Sequence, residues 1–163
     1  MIPIDAGSFE MGCTEGQSGC ESDESPVHTV HLTRDFYMAE TEVTQAQWES
    51  VMGSNPSANL WCGESCPVES VSWGQAIAFA NTLSELEGLT PAYAENDETY
   101  SLDLDADGYR LPTEAEWEFA ARCGTDLRYA GSDDADEVAR YNQTSDGSIR
   151  PVAGRSPNGC GLY

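Results

Sequence analysis

The pattern of hydrophobic and polar residues predicts several short strands. In "VHTVHL", which follows Pro26, the two classes alternate as they do in a strand with one buried face. A turn at Arg34 and Asp35 leads into "FYMAETEV", and the two segments together predict a hairpin near the N-terminus. Alternation in "TYSLDLDADG" predicts a further strand later in the chain.

Three predicted helices begin with the same sequence device. A Ser or Thr is followed three residues later by Glu or Gln, which is the pattern of a capping box. The pairs are Thr44 with Gln47, Ser72 with Gln75, and Thr113 with Glu116. The middle helix should end before Gly88 and has apolar residues at helical spacing. The residues expected on its buried face are Ala76, Phe79, Ala80, Leu83 and Leu86. Helices mixed with strands, without regular βαβ alternation, predict one α+β domain over residues 1–163.

Charge narrows the classes of partner. The 163 residues include 29 acidic and 7 basic side chains, a net charge of -22. Such a charge opposes docking onto nucleic acid or an anionic membrane surface. No apolar run has the roughly 18 residues that a membrane helix needs, so no membrane insertion is expected. With 39% hydrophobic residues, the chain is expected to fold as a monomer whose candidate partner is a protein or peptide.

Six cysteines beside only two histidines, with no CxxC pair, favour disulfides over a zinc site. The spacing favours two short loops and leaves one pair for a longer loop. These pairs are Cys13 with Cys20, Cys62 with Cys66, and Cys123 with Cys160. Buried free thiols in a cytoplasmic protein are the alternative. Disulfides imply an extracytoplasmic compartment, with a secretion signal outside this chain.

A calcium-loop pattern occurs between the third predicted strand and the third helix. Asp103, Asp105 and Asp107 alternate, Gly108 stands at the sixth position and Glu114 at the twelfth. A calcium sensor of this type needs a helix before the loop, and here a strand is predicted. We therefore expect a solvated acidic turn, with a loosely held calcium ion as the alternative and a sensor as the least favoured reading.

The two histidines lie three residues apart on the first predicted strand. His28 and His31 should therefore point to opposite faces and cannot bind one metal ion together. His28 shares a face with Val30 and Leu32, so we expect it to be a hydrogen-bonded residue in or near the core rather than a ligand.

The four tryptophans are expected to have different roles. Trp48, Trp73 and Trp117 fall at the start of a helix or within one, and they are expected in the core. Trp61 lies between the first helix and Cys62. It is the better candidate for a surface recognition residue.

The segment "GYRLPTEAEWEFAARCG" resembles the most recognisable part of the sulfatase-modifying-factor family, which includes the formylglycine-generating enzyme. The resemblance continues through "IPIDAGSFEMG", "PVESVSWGQAIAFAN" and "RPVAGRSPNGCGLY". The motif positions singled out are His28, Arg110, Thr113, Glu116 and Trp117. The resemblance implies an irregular C-type-lectin-like fold, with few helices around small antiparallel sheets and much loop.

The resemblance also implies a chemistry. Catalytic members of the family use molecular oxygen to oxidise a protein cysteine to formylglycine, with copper(I) held by two cysteines near the C-terminal end of the domain. Here the sequence stops at Tyr163, inside the family's "GLYDM" block. We therefore expect a domain that is incomplete at its C-terminus. No residue is assigned as catalytic, and copper is expected only if a later segment supplies the cysteine pair.

A structural calcium site is implied as well. The family builds it from an Asn, an Asp and backbone carbonyls between the third helix and the "pV" segment. The matching stretch "RYNQTSDGSIRPV" offers the side chains of Asn142 and Asp146 and the carbonyls of Gln143 and Ser148. Oxygen ligands suit calcium, and a plain Asx-rich turn is the alternative.

Two functions from different classes follow. One is an oxidoreductase domain whose active centre lies beyond Tyr163. The other is a non-catalytic recognition module on the same scaffold. Catalytic members carry a long Trp- and Pro-rich insertion before the "VSW" segment, whereas this chain has only "NPSANLWCGESCPVES". That difference favours the recognition module, whereas the resemblance to the family favours the oxidoreductase domain.

Overall fold

The computed structural model of the chain describes residues 1–13, 17, 19–96, 99–141 and 147–163. It contains two compact units. Unit 1 comprises Met1–Glu42 and Pro112–Tyr163, and unit 2 comprises Val43–Leu111. Short helices and two-stranded antiparallel sheets within both units confirm the predicted α+β class. That residues 1–163 act as one domain stays a prediction.

The strands of unit 1 pair differently from the predicted hairpin. The strand after Pro26, β3 (His28–Leu32), pairs with β2 (Gly7–Met11), and β4 (Phe36–Met38) pairs with β1 (Ile2–Ile4). Both strands exist as predicted, but the turn between them does not bring them together. The pairing partners come from the first eleven residues of the chain.

A single-residue irregularity separates the two ladders of unit 1. Ile4 lies opposite Phe36, and Gly7 lies opposite Leu32. The segment from Leu32 to Phe36 therefore has one residue more than the segment from Ile4 to Gly7. One extra residue on one strand is the mark of a β-bulge. The Asp35 carboxylate accepts a hydrogen bond of 2.7 Å from the Ala6 amide at this point. A side chain thus replaces a ladder partner where the regular pairing stops.

Helix α3 (Glu114–Arg122) packs against β2 within unit 1. The rings of Phe9 and Phe119 meet edge to face with centroids 5.4 Å apart. Gly7 leaves room for this ring, because a Cβ atom at that position would lie 2.9 Å from Phe119 Cζ and the ring would have to shift. Apolar burial on this side of the helix forms the core of unit 1. Its fully buried members are Ile4, Ala120 and Leu162.

Asn158 ties the C-terminal turn to α3. Its side-chain amide donates to the carbonyls of Ala120 and Ala121 at 2.8 and 3.0 Å. Its oxygen accepts from the amides of Cys160 and Leu162, each at 3.0 Å. Four hydrogen bonds satisfy every polar group of this buried side chain. The short helix α4 (Ala135–Val138) also belongs to unit 1.

Unit 2 contains two helices and one hairpin. Helix α1 (Gln45–Met52) packs against α2 (Trp73–Leu86), and β5 (Tyr93–Asn96) pairs with β6 (Thr99–Leu102). The strand predicted before Asp103 is therefore confirmed. Among the described residues no helix combines the length and the apolar character needed to cross a bilayer.

The core of unit 2 lies along one side of α2. The rings of Trp48 and Phe79 stack in parallel with centroids 4.9 Å apart. Phe79 and Ala80 are buried as predicted, and Ala76 and Leu83 are half-buried. Leu86 is exposed, so its prediction was wrong. The buried residues that the prediction missed are Ile77 and Ser84.

Ser84 is buried because it connects α2 to the segment that leads out of the hairpin. Its hydroxyl donates to the Ala80 carbonyl and accepts from the Tyr109 amide, both at 2.8 Å. Gly108 sits beside it. A Cβ at Gly108 would lie 2.2 Å from the Thr90 carbonyl oxygen, so only glycine fits this crossing.

All three predicted capping boxes are present. The caps are Thr44, Ser72 and Thr113, and in each case both reciprocal hydrogen bonds form. The partners of the caps are Gln47, Gln75 and Glu116. Helix starts in this chain are therefore encoded locally, since each box satisfies amides that the helix leaves without partners.

Candidate functional site

The candidate recognition surface lies in unit 2, on residues 54–70, which we call the Trp61 loop. Leu60–Cys62 forms one 3₁₀ turn, and a disulfide joins Cys62 to Cys66. Trp61 is 66% exposed and Leu60 is also exposed. A large aromatic and a large aliphatic side chain are thus both exposed on a 3₁₀ turn that leads directly into the disulfide-closed loop.

The backbone of the Trp61 loop is held by the start of α1. The amide of Gln45 donates to the Cys66 carbonyl at 2.8 Å, and the amide of Ala46 donates to the Glu64 carbonyl at 3.1 Å. Amides in the first turn of a helix have no partner within the helix. The loop supplies those partners, so its shape and the helix start stabilise each other.

Buried polar side chains fill the space beneath the Trp61 loop. Asn55 donates to the Gln45 side-chain oxygen at 2.9 Å and accepts from the Ser57 amide at 3.0 Å. The Ser57 hydroxyl accepts from the Glu69 amide at 3.2 Å. Gln45 and Ser57 are buried, so these bonds replace the water that the groups lose.

Glu69 fixes the orientation of the exposed indole through Asn59. One carboxylate oxygen accepts from the Asn59 amide at 2.8 Å and from its side-chain nitrogen at 3.1 Å. The Asn59 side-chain oxygen then accepts from the Trp61 indole N–H at 3.2 Å. The Ser70 hydroxyl hydrogen bond and, after it, the Asn59 amide hold the pKa of Glu69 below its usual value. The carboxylate therefore stays charged and keeps its donors at neutral pH.

The other tryptophans only partly follow their predictions. Trp48 is 4% exposed, which confirms its core position. Trp73 and Trp117 are each 60% exposed, so a core position was wrong for both. Trp73 is the first residue of α2, and Trp117 lies on the outer side of α3. Helix α2 buries the side that carries Phe79 and Ala80, and α3 buries the side that carries Ala120, because the neighbouring elements contact those sides.

Arg110 and the motif around it have structural contacts. Arg110 is half-buried and donates from its guanidinium to the Leu111 carbonyl at 3.1 Å. Thr113 and Glu116 form the capping box of α3. Glu114 lies in the first turn, where a carboxylate interacts favourably with the helix dipole. Thr113, Glu114 and Glu116 thus stabilise the start of α3.

The aspartates of the calcium-loop pattern bind backbone amides. Asp107 accepts from the Thr90 amide at 2.8 Å, and Asp103 accepts from the Asp105 amide at 2.9 Å. The segment before them is strand β6, so the helix that a sensor requires is replaced by a strand. These contacts agree with an acidic turn.

The histidines have local partners. The His28 ring lies 3.1 Å from the Pro26 carbonyl and forms a hydrogen bond, but the residue is exposed, so its predicted core position was wrong. His31 and Ser8 are cross-strand partners, and their side chains form a 2.6 Å hydrogen bond on an exposed face. Across the part of the chain that the structure describes, neither histidine joins a cluster that could hold a metal ion.

A comparison with known proteins places the chain in a family. The model of the sulfatase-modifying factor enzyme 1-like domain matches residues 1–163. The chain belongs to the sulfatase-modifying factor family. The fold is accordingly the mixed α+β, C-type-lectin-like fold of that family, as the resemblance implied. A solved structure of Treponema denticola variable protein 1 is similar, with a TM-score of 0.86 and 34% identity, covering 100% of this chain and 68% of that one.

Two curated relatives have different names. The chaperone protein LppX of Paenibacillus barcinonensis is 45% identical over 125 residues, which is 66% of this chain and 44% of that protein. A formylglycine-generating enzyme of Streptomyces coelicolor is 27% identical, covering 99% of this chain and 64% of that protein. The chain thus covers less than two thirds of the length of either relative.

The family's copper site does not fit the cysteines of this chain. All six are joined in the three pairs that spacing favoured. The pairs are Cys13–Cys20, Cys62–Cys66 and Cys123–Cys160. A cysteine binds copper(I) as a thiolate, which a disulfide does not offer. Among the described residues the one close cluster of potential metal ligands is Cys13, Cys20 and Glu24, and its two sulfurs are bonded to each other.

The calcium prediction stays a prediction. Asn142, Gln143 and Asp146 lie outside the described residues, and Ser148 is half-buried. The sequence predicted the exposure of Trp61, the three disulfides and the three capping boxes. It did not predict the network of Gln45, Asn55 and Glu69, because isolated polar residues carry no sequence pattern that distinguishes them from solvated ones.

Proposed function

We propose that this chain is a non-catalytic recognition module that binds a protein or peptide partner through the Trp61 loop. The observation that carries the proposal is an exposed tryptophan, Trp61, whose indole is oriented by Asn59 and Glu69. Exposed aromatic side chains dominate the energetics of many protein interfaces.

Rigidity of the loop supports the same function. The Cys62–Cys66 disulfide and the bonds from Gln45 and Ala46 hold the turn before any partner arrives. Binding then costs less conformational entropy, since the loop does not have to become ordered. Preorganisation of this kind suits a surface that recognises one partner shape.

The relatives agree with a protein-binding role. The relative with 45% identity is named a chaperone protein, and proteins of that name act on other proteins. Three disulfides are typical of an oxidising compartment. We therefore propose that the module works outside the cytoplasm, where its partner would also be found.

A formylglycine-generating activity is the second candidate. It is supported by family membership and by the formylglycine-generating enzyme that aligns with 99% of this chain. The test is to incubate the full-length protein with a sulfatase-type cysteine peptide and oxygen, with and without copper. An oxidised cysteine in the mass spectrum of the peptide would favour the enzyme, and an unchanged mass would reject it.

Hydrogen exchange tests the recognition proposal. Peptides selected from a phage-displayed random library against the chain would be added, and amide exchange compared with and without each peptide. Protection concentrated at Leu60–Cys66 is expected, because the partner covers that turn. If no selected peptide slows amide exchange at Leu60–Cys66, recognition occurs elsewhere and the proposal is contradicted.

A further inference from the structure

A second aromatic surface lies on unit 2, around the first residue of α2. The ring of Trp73 meets the rings of Tyr100 and Tyr93 edge to face, with centroids 5.6 and 6.4 Å apart. Both interplanar angles are 76°. Trp73 and Tyr100 are exposed, whereas Tyr93 is buried. We call these three residues the aromatic face.

The aromatic face is held in place from below. Asn81 accepts from the Tyr93 amide at 3.2 Å and donates to its carbonyl at 2.8 Å, so it clamps both sides of that residue. The Tyr93 hydroxyl accepts from the Leu111 amide at 3.0 Å. Trp73 directly follows Ser72, the cap of α2. The exposed rings therefore rest on a fixed residue and on a helix start.

A carboxylate lies beside the aromatic face, on a strongly acidic unit. In the β5–β6 ladder, Glu95 lies directly opposite Tyr100, on the side of the hairpin that also carries Tyr93. Glu95 is exposed. Unit 2 contains eleven Asp and Glu residues and a single Arg, which gives a formal charge of one minus eleven, or minus ten.

We propose that the aromatic face binds a lysine or arginine side chain from a basic segment of a protein partner. Aromatic rings attract cations through their faces, and the Glu95 carboxylate adds a countercharge beside Tyr100. The apolar stem of either side chain would pack against Trp73. This inference rests on the proposed recognition function and names the chemistry of the partner.

Nuclear magnetic resonance and affinity measurements test the inference with lysine–glycine repeat peptides. The matched probe is the same peptide with acetylated lysines, which removes the charge and keeps the length. The Trp73 indole N–H resonance, assigned through Trp73→Phe, should shift with the charged peptide only. The buried Trp48 provides a reference resonance in the same spectrum. Equal shifts with both peptides would overturn the inference.

Matched variants separate a specific site from general attraction to an acidic protein. Trp73→Leu should raise the Kd of the charged peptide about three- to tenfold, while Trp117→Leu, at an equally exposed tryptophan, should not. Glu95→Gln and Glu114→Gln each remove one exposed charge. Glu95→Gln should weaken binding more, because Glu95 lies opposite Tyr100. Equal effects within either pair would overturn the inference.

The test also distinguishes this inference from the proposed function. One outcome is that the selected peptides protect Leu60–Cys66, while the charged peptide neither shifts the Trp73 resonance nor loses affinity in Trp73→Leu. In that case the inference fails and the recognition proposal stands. If the charged peptide depends on Trp73 and no selected peptide protects Leu60–Cys66, the aromatic face is supported and the Trp61 loop is not the recognition surface.

Discussion

Side-chain acceptors for backbone amides fix several turns of this protein. Asp107 is one of them, since its carboxylate accepts from the Thr90 amide where the chain crosses Gly108. This hydrogen bond to the Thr90 amide holds the pKa of Asp107 below its usual value of 3.8. The charged form is therefore the one that stabilises the fold.

Stability should depend on pH through this carboxylate. Its pKa is lower in the folded than in the unfolded chain, so its contribution is complete above about pH 4 and is lost as the pH falls through the folded-state pKa. We expect Asp107→Asn to flatten the decline of the free energy of unfolding below that pH. Urea unfolding at a series of acidic pH values measures the slope.

Asp126→Asn is the matched control for Asp107→Asn. Its side chain is 92% exposed, and its nearest ion-pair contact, to Arg122, is 3.9 Å long. The acid slope should change less in this variant. Identical slopes in the two variants would show that the Thr90 contact is not responsible.

The structural role of a residue could be predicted where it depends on residues close by in the sequence. The caps Thr44, Ser72 and Thr113 need only a partner three residues away, so sequence alone places them. The exposure of Trp73 and Trp117 was not predictable. Whether a tryptophan on a helix is buried depends on which element packs beside it, and that element is distant in sequence.

Among the elements, α3 offers the clearest test of local encoding. Thr113→Ala removes the side-chain oxygen that accepts from the Glu116 amide at 3.2 Å. We expect the free energy of unfolding to fall by about 1 kcal/mol. Thr113→Ser keeps the acceptor and should restore most of the loss. Urea denaturation of the two variants checks this, and equal destabilisation by Ala and Ser would contradict it.

Strand pairing shows where element-level prediction ends. Alternation found β3 and located β4 correctly, but it assigned them to each other. In the structure they pair with β2 and β1. Hydrophobic alternation specifies which face of a strand is buried and carries no information about its partner. The extra residue between Leu32 and Phe36 could not be predicted from the alternation either, since a bulge depends on both paired strands.

At the scale of the whole molecule, disulfides should set much of the stability. The Cys123–Cys160 bond spans 37 residues and Cys13–Cys20 spans 7. In the chain-entropy model these loops stabilise by about 4 and about 2 kcal/mol. Replacing both cysteines of the longer pair by alanine should therefore lower the free energy of unfolding more. Denaturant unfolding of the two double variants gives the order, and the reverse order would contradict it.

Membership of the sulfatase-modifying factor family gives the fold and leaves the function open. The six cysteines are in disulfides, so the copper chemistry of the family finds no ligands among them. The Trp61 loop instead presents a rigid aromatic surface. The proposed recognition function therefore depends on a short segment whose exposure the sequence suggested and whose supporting network it did not reveal.

The most direct test of this account is the affinity of one selected peptide for two variants, measured by isothermal titration calorimetry. Trp61→Ala and Trp117→Ala each remove one exposed tryptophan. If the Trp61 loop is the recognition surface, Trp61→Ala should raise the Kd by roughly 30-fold, as loss of an interface hot spot does, and Trp117→Ala should leave it unchanged. An equal Kd for both variants would contradict the account.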